Sequence, residues 1–130
     1  MKIDIQKKFK AKIPDEFLSF VEKVSDGEGL DDWELDIWDI YGESECIDDM
    51  RLIHIDYNEN MLYMKSMFMH EVAHAVMPDE VRGDSYWHRE PWQKKLIMLL
   101  DKYMIDMPGN LRRELVTHSW DIIRKLGKLK

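Results

Sequence analysis

The chain of 130 residues is long enough to bury one ordinary hydrophobic core, so we expect a single domain over residues 1–130. Hydrophobic residues make up 45% of the chain and charged residues 35%, which excludes general disorder. The lone Cys46 excludes an internal disulfide, and no apolar run is long enough to span a bilayer. Since the N-terminus does not resemble a signal peptide either, we expect a cytoplasmic protein without a membrane partner.

The net charge of -7 is unevenly distributed along the chain. Residues 26–49 carry eleven acidic residues and no Lys or Arg, whereas both ends are rich in Lys and Arg. Basic ends could contact nucleic acid, but the acidic block would repel phosphate. Solvated surface is therefore the preferred interpretation, and nucleic acid is a secondary hypothesis. The sequence does not predict the oligomeric state.

The first half of the chain predicts one helix and several strands. Apolar spacing after Pro14 predicts a helix that stops at Gly27 and Gly29. The segments "WELDIWDI" and "MRLIHIDY" alternate apolar with polar residues, which predicts two strands joined through the turn "YGES" as a hairpin or meander. A further short strand is expected in "KIDI".

Helical spacing dominates the second half. One helix is predicted from Asn60 to about Met77, and a second begins with Pro91 in its first turn and ends at "MPG". A last helix, "LRRELVTHSWDIIRKL", is expected to have Asn110 as its N-cap and to end at Gly127. Strands followed by helices predict an α+β fold, with a small antiparallel or mixed sheet packed on a helical layer.

The segment "HEVAH" carries the clearest chemical signal. His70 and His74 are one helical turn apart, so both imidazoles project from one face and can converge on one ion. Glu71 is offset from that face, where a carboxylate can hold and deprotonate a water on the metal. Small and apolar neighbours suit a buried helix. The pattern favours a zinc hydrolase over a chance pair of histidines.

A hydrolytic zinc site needs a third protein ligand and an open fourth position. His88 is the preferred candidate, because imidazole matches the other two ligands and the intervening loop lets the chain return to the helix. The carboxylates Glu90, Asp79, Asp84 and Asp101 are alternatives, since zinc also binds two histidines and one carboxylate.

The segments "MRLIHIDYNENMLYMKSMFMHEVAHAV" and "HREPWQKKL" resemble the SprT-like zincin family, in which a strand precedes the HExxH helix and a His-x-x-x-Trp element opens the next. The resemblance covers about residues 50–97. It implies a zincin-like fold with HExxH on the central helix, His70, His74 and His88 as zinc ligands, and Glu71 as general base.

The chain departs from the family at Arg89, where glycine is usual, and no cysteine-rich zinc ribbon follows. It is also similar to minimal zincins, including minigluzincins, which use a carboxylate as third ligand. These departures concern the substrate class more than the metal site.

We therefore expect a zinc-dependent metallopeptidase acting on a protein or peptide. The strand ending near Tyr57 could be a sheet edge that receives an extended peptide. Two alternatives remain open: a zinc-stabilised binding protein with an acidic interaction face and little turnover, and a DNA-associated protease. Among the neighbours, Tyr86 and Arg89 could stabilise an oxyanion, whereas His54 and His118 are interpreted as structural or surface residues.

Overall fold

A computed structural model describes residues 1–39, 44–77 and 90–128. These residues form a mixed α and β arrangement of four strands and five α-helices. The elements are β1 (Lys2–Ile5), α1 (Asp15–Glu28), β2 (Glu34–Trp38), β3 (Glu45–Ile47), β4 (Leu52–Asp56), α2 (Met61–Ala75), α3 (Glu90–Tyr103), α4 (Gly109–Thr117) and α5 (Ser119–Gly127). Two short 3-10 helices, Lys7–Lys12 and Asp48–Met50, precede α1 and β4. None of the helices along these ranges has both the length and the apolar character needed to cross a bilayer.

The four strands form one mixed sheet in the order β1-β2-β4-β3. Strands β1, β2 and β4 are parallel, and β3 runs antiparallel to β4. A small mixed sheet in an α+β fold is confirmed, but the hairpin predicted between β2 and β4 is wrong. The chain instead forms β3 first and returns as β4 between β2 and β3. Alternating apolar residues predict a strand, but they do not specify its neighbours.

The position of β4 also corrects the expected sheet edge. Because β4 pairs with β2 on one side and with β3 on the other, the strand that ends near Tyr57 lies inside the sheet. Among the described strands the edges are β1 and β3.

The inner face of the sheet is fully apolar at its centre. Leu35 and Ile37 of β2 and Ile53 and Ile55 of β4 are 0% exposed and join the core with residues of α1 and α2. Burying a side chain of this size contributes about 1.5–3 kcal/mol. The alternating polar residues of both strands consequently lie on the outer face.

Helix α2 packs against both the sheet and other helices. The helix begins where the sequence predicts, with Asn60 as its N-cap, and the Asn60 side chain accepts a hydrogen bond from the Tyr63 amide at 3.1 Å. The helix contacts α1, α3, α5, β3 and β4, and most of its residues are buried. A helix that is enclosed in this way needs apolar side chains around most of its circumference. The four methionines Met61, Met64, Met67 and Met69 supply much of that surface.

The ends of the other predicted helices agree in part. Helix α1 ends where Gly29 adopts a left-handed conformation with φ 70°, which glycine tolerates without steric cost. The prediction of a single last helix is wrong, because its segment forms two helices, α4 and α5, with a break at His118 (φ -132°, ψ 46°). The predicted N-cap is also wrong, since α4 begins after Pro108 rather than at Asn110. Apolar spacing continues through the break, so the local pattern did not indicate it. After the break, α5 packs against α2.

Polar side chains on the outer face form a row across all four strands. Asp4, Asp36, His54 and Glu45 are cross-strand neighbours in β1, β2, β4 and β3. His54 lies 3.1 Å from Asp36 through Nε2 and 3.5 Å from Glu45 through Nδ1. Burial, reinforced by the nearby negative charge of Glu34, raises the pKa of Asp36 to about 6, although His54 opposes the shift.

The raised pKa of Asp36 predicts a pH-dependent stability. The pKa of the Asp36 carboxyl is higher in the folded protein than its ordinary value of 3.8. Its contribution to stability is therefore fully present below pH 3.8 and is lost as the pH rises through about 6. The difference in free energy of unfolding between the parent and Asp36→Asn should therefore shift in favour of the variant from pH 4 to 6. Urea denaturation across this window measures it, with Asp106→Asn as an exposed control outside the sheet. A difference that is constant over the window would contradict the assignment.

Candidate metal centre

Helix α2 brings the two histidines of the HExxH segment together. The rings of His70 and His74 have centroids 5.2 Å apart. With Glu71, their candidate ligand atoms all lie within 4.8 Å of one another. His70 is 1% exposed and Glu71 2% exposed, whereas His74 is half-buried. The cluster is therefore mostly withdrawn from solvent.

Glu71 is a deeply buried carboxylate on the same helix. Its Oε1 lies 3.7 Å from Nε2 of His70, and the hydroxyl of Ser44 donates a long 3.4 Å hydrogen bond to the same oxygen. Burying a carboxylate is costly unless polar partners compensate. Ser44 precedes β3 and reaches the site because β3 packs against α2, and no local pattern in the sequence connects it with the HExxH segment.

Two tryptophans enclose the histidines. Trp92 of α3 is 1% exposed, and its ring centroid lies 4.8 Å from that of His70 and 5.1 Å from that of His74. It is nearly parallel to His74, with an interplanar angle of 22°. Trp120 of α5 packs 4.5 Å from His70. Trp92 therefore belongs to the hydrophobic core and also lines the candidate site. The indole rings of Trp92 and Trp120 restrict the orientation of the imidazoles.

His70 also contacts a hydroxyl from another helix. The Oγ of Ser119, at the start of α5, is 2.6 Å from Nδ1 of His70. Ser119 could not be recognised from the sequence, since no spacing rule connects two residues that lie on separate helices. The only local signal is a small polar residue beside Trp120 in an otherwise amphipathic segment.

The donor set fits zinc. Neutral imidazole nitrogens and carboxylate oxygens are ordinary zinc ligands at distances near 2.0–2.2 Å, so two such atoms less than about 5 Å apart can bind one ion after small side-chain rotations. His70 and His74 would hold the ion, and Glu71 lies close enough to act on a water beside it. Within the described ranges, these three residues are the group that could hold a metal.

The proposed third ligand is not among the described residues. His88, Asp79 and Asp84 lie outside them, as do Tyr86 and Arg89. His88 accordingly stays a prediction.

The other two carboxylate alternatives lie elsewhere on the surface. Glu90, the first residue of α3, is 75% exposed and lies 2.8 Å from Lys94. This ion pair lowers the pKa of Glu90. Asp101 is 54% exposed and lies 2.9 Å from Arg112. Neither belongs to the cluster of His70, Glu71 and His74.

The remaining histidines have other surroundings. His54 belongs to the polar row on the outer face of the sheet. His118 is exposed at the junction of α4 and α5. Both positions agree with the structural or surface interpretation of these residues.

Comparisons of the chain with protein-family models, with curated proteins and with solved structures found no match. The functional argument therefore rests on the chemistry and geometry of the site.

The donor set predicts that the chain binds zinc. Replacing His70, His74 or His88 by Ala should lower the zinc content, because each change removes one proposed ligand. Glu90→Ala and Asp101→Ala should retain the ion, since both carboxylates are paired on the surface. Elemental analysis of the purified proteins measures the stoichiometry. If His88→Ala keeps its full zinc content and Glu90→Ala loses zinc, the third ligand is Glu90 rather than His88.

Removing zinc should lower the melting temperature without abolishing the cooperative transition. The reason is that the buried core of helices and sheet does not depend on the ion. Calorimetry of metal-free and zinc-loaded protein measures the shift. Loss of the transition on chelation would show that the ion is required for folding.

Proposed function

We propose that the chain is a zinc-dependent metallopeptidase with a zincin-like fold, of the SprT-like or minimal zincin type. His70, His74 and His88 hold the ion, and Glu71 is the general base. The observation that carries the proposal is the buried Glu71 carboxylate beside two converging imidazoles, because a purely structural zinc site does not need such a group. A cytoplasmic location is part of the proposal, in keeping with a chain whose single cysteine cannot form an internal disulfide.

Zinc bound at this site would lower the pKa of a water and polarise the carbonyl of the peptide bond. Glu71 accepts the proton of the attacking water and then delivers it to the leaving amine. Ser44 restrains Oε1 of Glu71, and the two tryptophans exclude solvent from one side of the histidines. Burial strengthens these electrostatic interactions, since the low local polarity screens them less than water does.

The proposed route for substrate is corrected from β4 to β3. β3 is an edge strand, contacts α2, and begins one residue after Ser44. An extended peptide that adds to the outer side of β3, which pairs with no second strand among the described residues, would run beside Ser44 and Glu71. Pairing through the backbone selects unfolded or flexible segments over folded ones.

A zinc-stabilised binding protein with an acidic interaction face is the second candidate. The structure describes most of the acidic block, and several of its carboxylates have basic partners within the chain. These pairs are Glu28–Lys102, Asp32–Arg51, Glu34–Lys2, Asp36–His54, Asp39–Lys8 and Glu45–His54. Such pairing reduces the negative charge available to a basic partner, so we rank this candidate below the metallopeptidase. The DNA-associated protease is also ranked below it, because Lys2 and Lys8 of the basic N-terminal segment are engaged in these pairs.

The general-base role of Glu71 is tested by Glu71→Gln. The amide keeps the size of the side chain but cannot accept the proton, so hydrolysis of unfolded peptides should fall on the order of a hundredfold or more. Zinc content should be unchanged, because both imidazoles remain. Initial rates, metal analysis and melting are measured in parallel, with Glu22→Gln on the exposed face of α1 as the matched control.

Equal hydrolysis by the parent and by Glu71→Gln would contradict the mechanism. If a zinc-loaded parent cleaves no member of a broad panel of unfolded substrates, the binding-protein alternative becomes the better account.

A further inference from the structure

The contact between Ser119 and His70 joins two distant parts of the chain. The two residues are 49 positions apart, and α5 brings the hydroxyl 2.6 Å from Nδ1 of the imidazole. Ser119 is 8% exposed and His70 is 1% exposed. A short hydrogen bond that is shielded from water holds the ring in one orientation more firmly than an exposed one does.

The two nitrogens of His70 face different groups. Nδ1 faces Ser119, whereas Nε2 lies 3.7 Å from Oε1 of Glu71, which belongs to the candidate metal cluster. A neutral imidazole carries one proton, and the nitrogen without it can bind a metal. The partner of the other nitrogen decides which tautomer is present.

We infer that Ser119 is a positioning residue of the metal site: its hydroxyl accepts the Nδ1–H of His70 and leaves Nε2 as the metal-binding nitrogen. This role rests on the proposed function, because it presumes that His70 is a ligand. Hydrogen-bond partners of this kind orient ligating histidines and increase metal affinity.

The first turn of α5 is arranged for this contact rather than for capping. The N-cap of α5 is His118, and no side chain makes a capping hydrogen bond there. The Ser119 hydroxyl contacts His70 instead, while Trp120 packs against the same ring at 4.5 Å. The break between α4 and α5 therefore places both residues on His70. It follows that metal affinity depends on the docking of the C-terminal helix.

The first test measures zinc affinity by competition with a chromophoric chelator. Ser119→Ala should bind zinc about 10- to 100-fold more weakly than the parent, because His70 loses the partner that fixes its tautomer. Ser119→Thr, which keeps a hydroxyl, should restore much of the affinity. Affinity of Ser119→Ala equal to that of the parent would overturn the inference.

Ser66→Ala is the matched control. Ser66 lies on α2 with the ligands and is 2% exposed, and its Oγ has no hydrogen-bond partner among the described residues. The same substitution at an equally buried serine should leave zinc affinity unchanged. A loss equal to that of Ser119→Ala would show a general packing effect and would also overturn the inference.

The second test needs no variant and no activity. Nitrogen-15 NMR of the metal-free parent at mildly alkaline pH reports which imidazole nitrogen of His70 is protonated. The Nδ1–H tautomer is expected, and an Nε2–H tautomer, with Ser119 donating to Nδ1, would overturn the inference. If the parent takes up no zinc, the metallopeptidase proposal and the role of Ser119 at a metal site both fail. If the parent takes up zinc but His70 is the Nε2–H tautomer, only the role of Ser119 fails.

Discussion

The enclosure of α2 is the constraint on which the other features of this protein depend. Three helices and two strands contact it, so its polar side chains have little access to water. His70 and Glu71 must then find partners inside the protein, because a buried polar group without one is costly. Those partners come from separate elements: Ser44 before β3, Trp92 of α3 and Ser119 of α5.

The burial of His70 and Glu71 on α2 is better explained by a chemical function than by a contribution to stability. A helix that served only the core would not need ionisable residues at positions 70 and 71, since replacing buried charged groups by well-packed apolar ones is often neutral or stabilising. Buried ionisable groups that converge on one point are typical of functional sites. The sheet, by contrast, keeps its charged residues on the outer face, where Asp36 and His54 are partly solvated. The site and the charged face thus lie on opposite sides of the strands.

Most of the local elements could be predicted from the sequence. The alternation in "KIDI", "WELDIWDI" and "MRLIHIDY" corresponds to β1, β2 and β4, and the apolar spacing corresponds to α1, α2 and α3. The two histidines and Glu71 were also recognisable, because residues one turn apart on a helix share a face whatever surrounds them. These features depend on backbone periodicity and on interactions between near neighbours, and both can be recognised in a single sequence.

Only the tertiary structure decided how those elements meet. The parallel pairing of β2 with β4, the additional strand β3 and the break at His118 all depend on contacts between distant segments. The contacts of Ser44 and Ser119 with the site have the same origin. Local pattern specifies which face of an element is apolar, whereas the choice of the surface that covers it is made by packing across the whole chain. The sequence by itself therefore determined the HExxH face, and the tertiary structure decided which groups orient it.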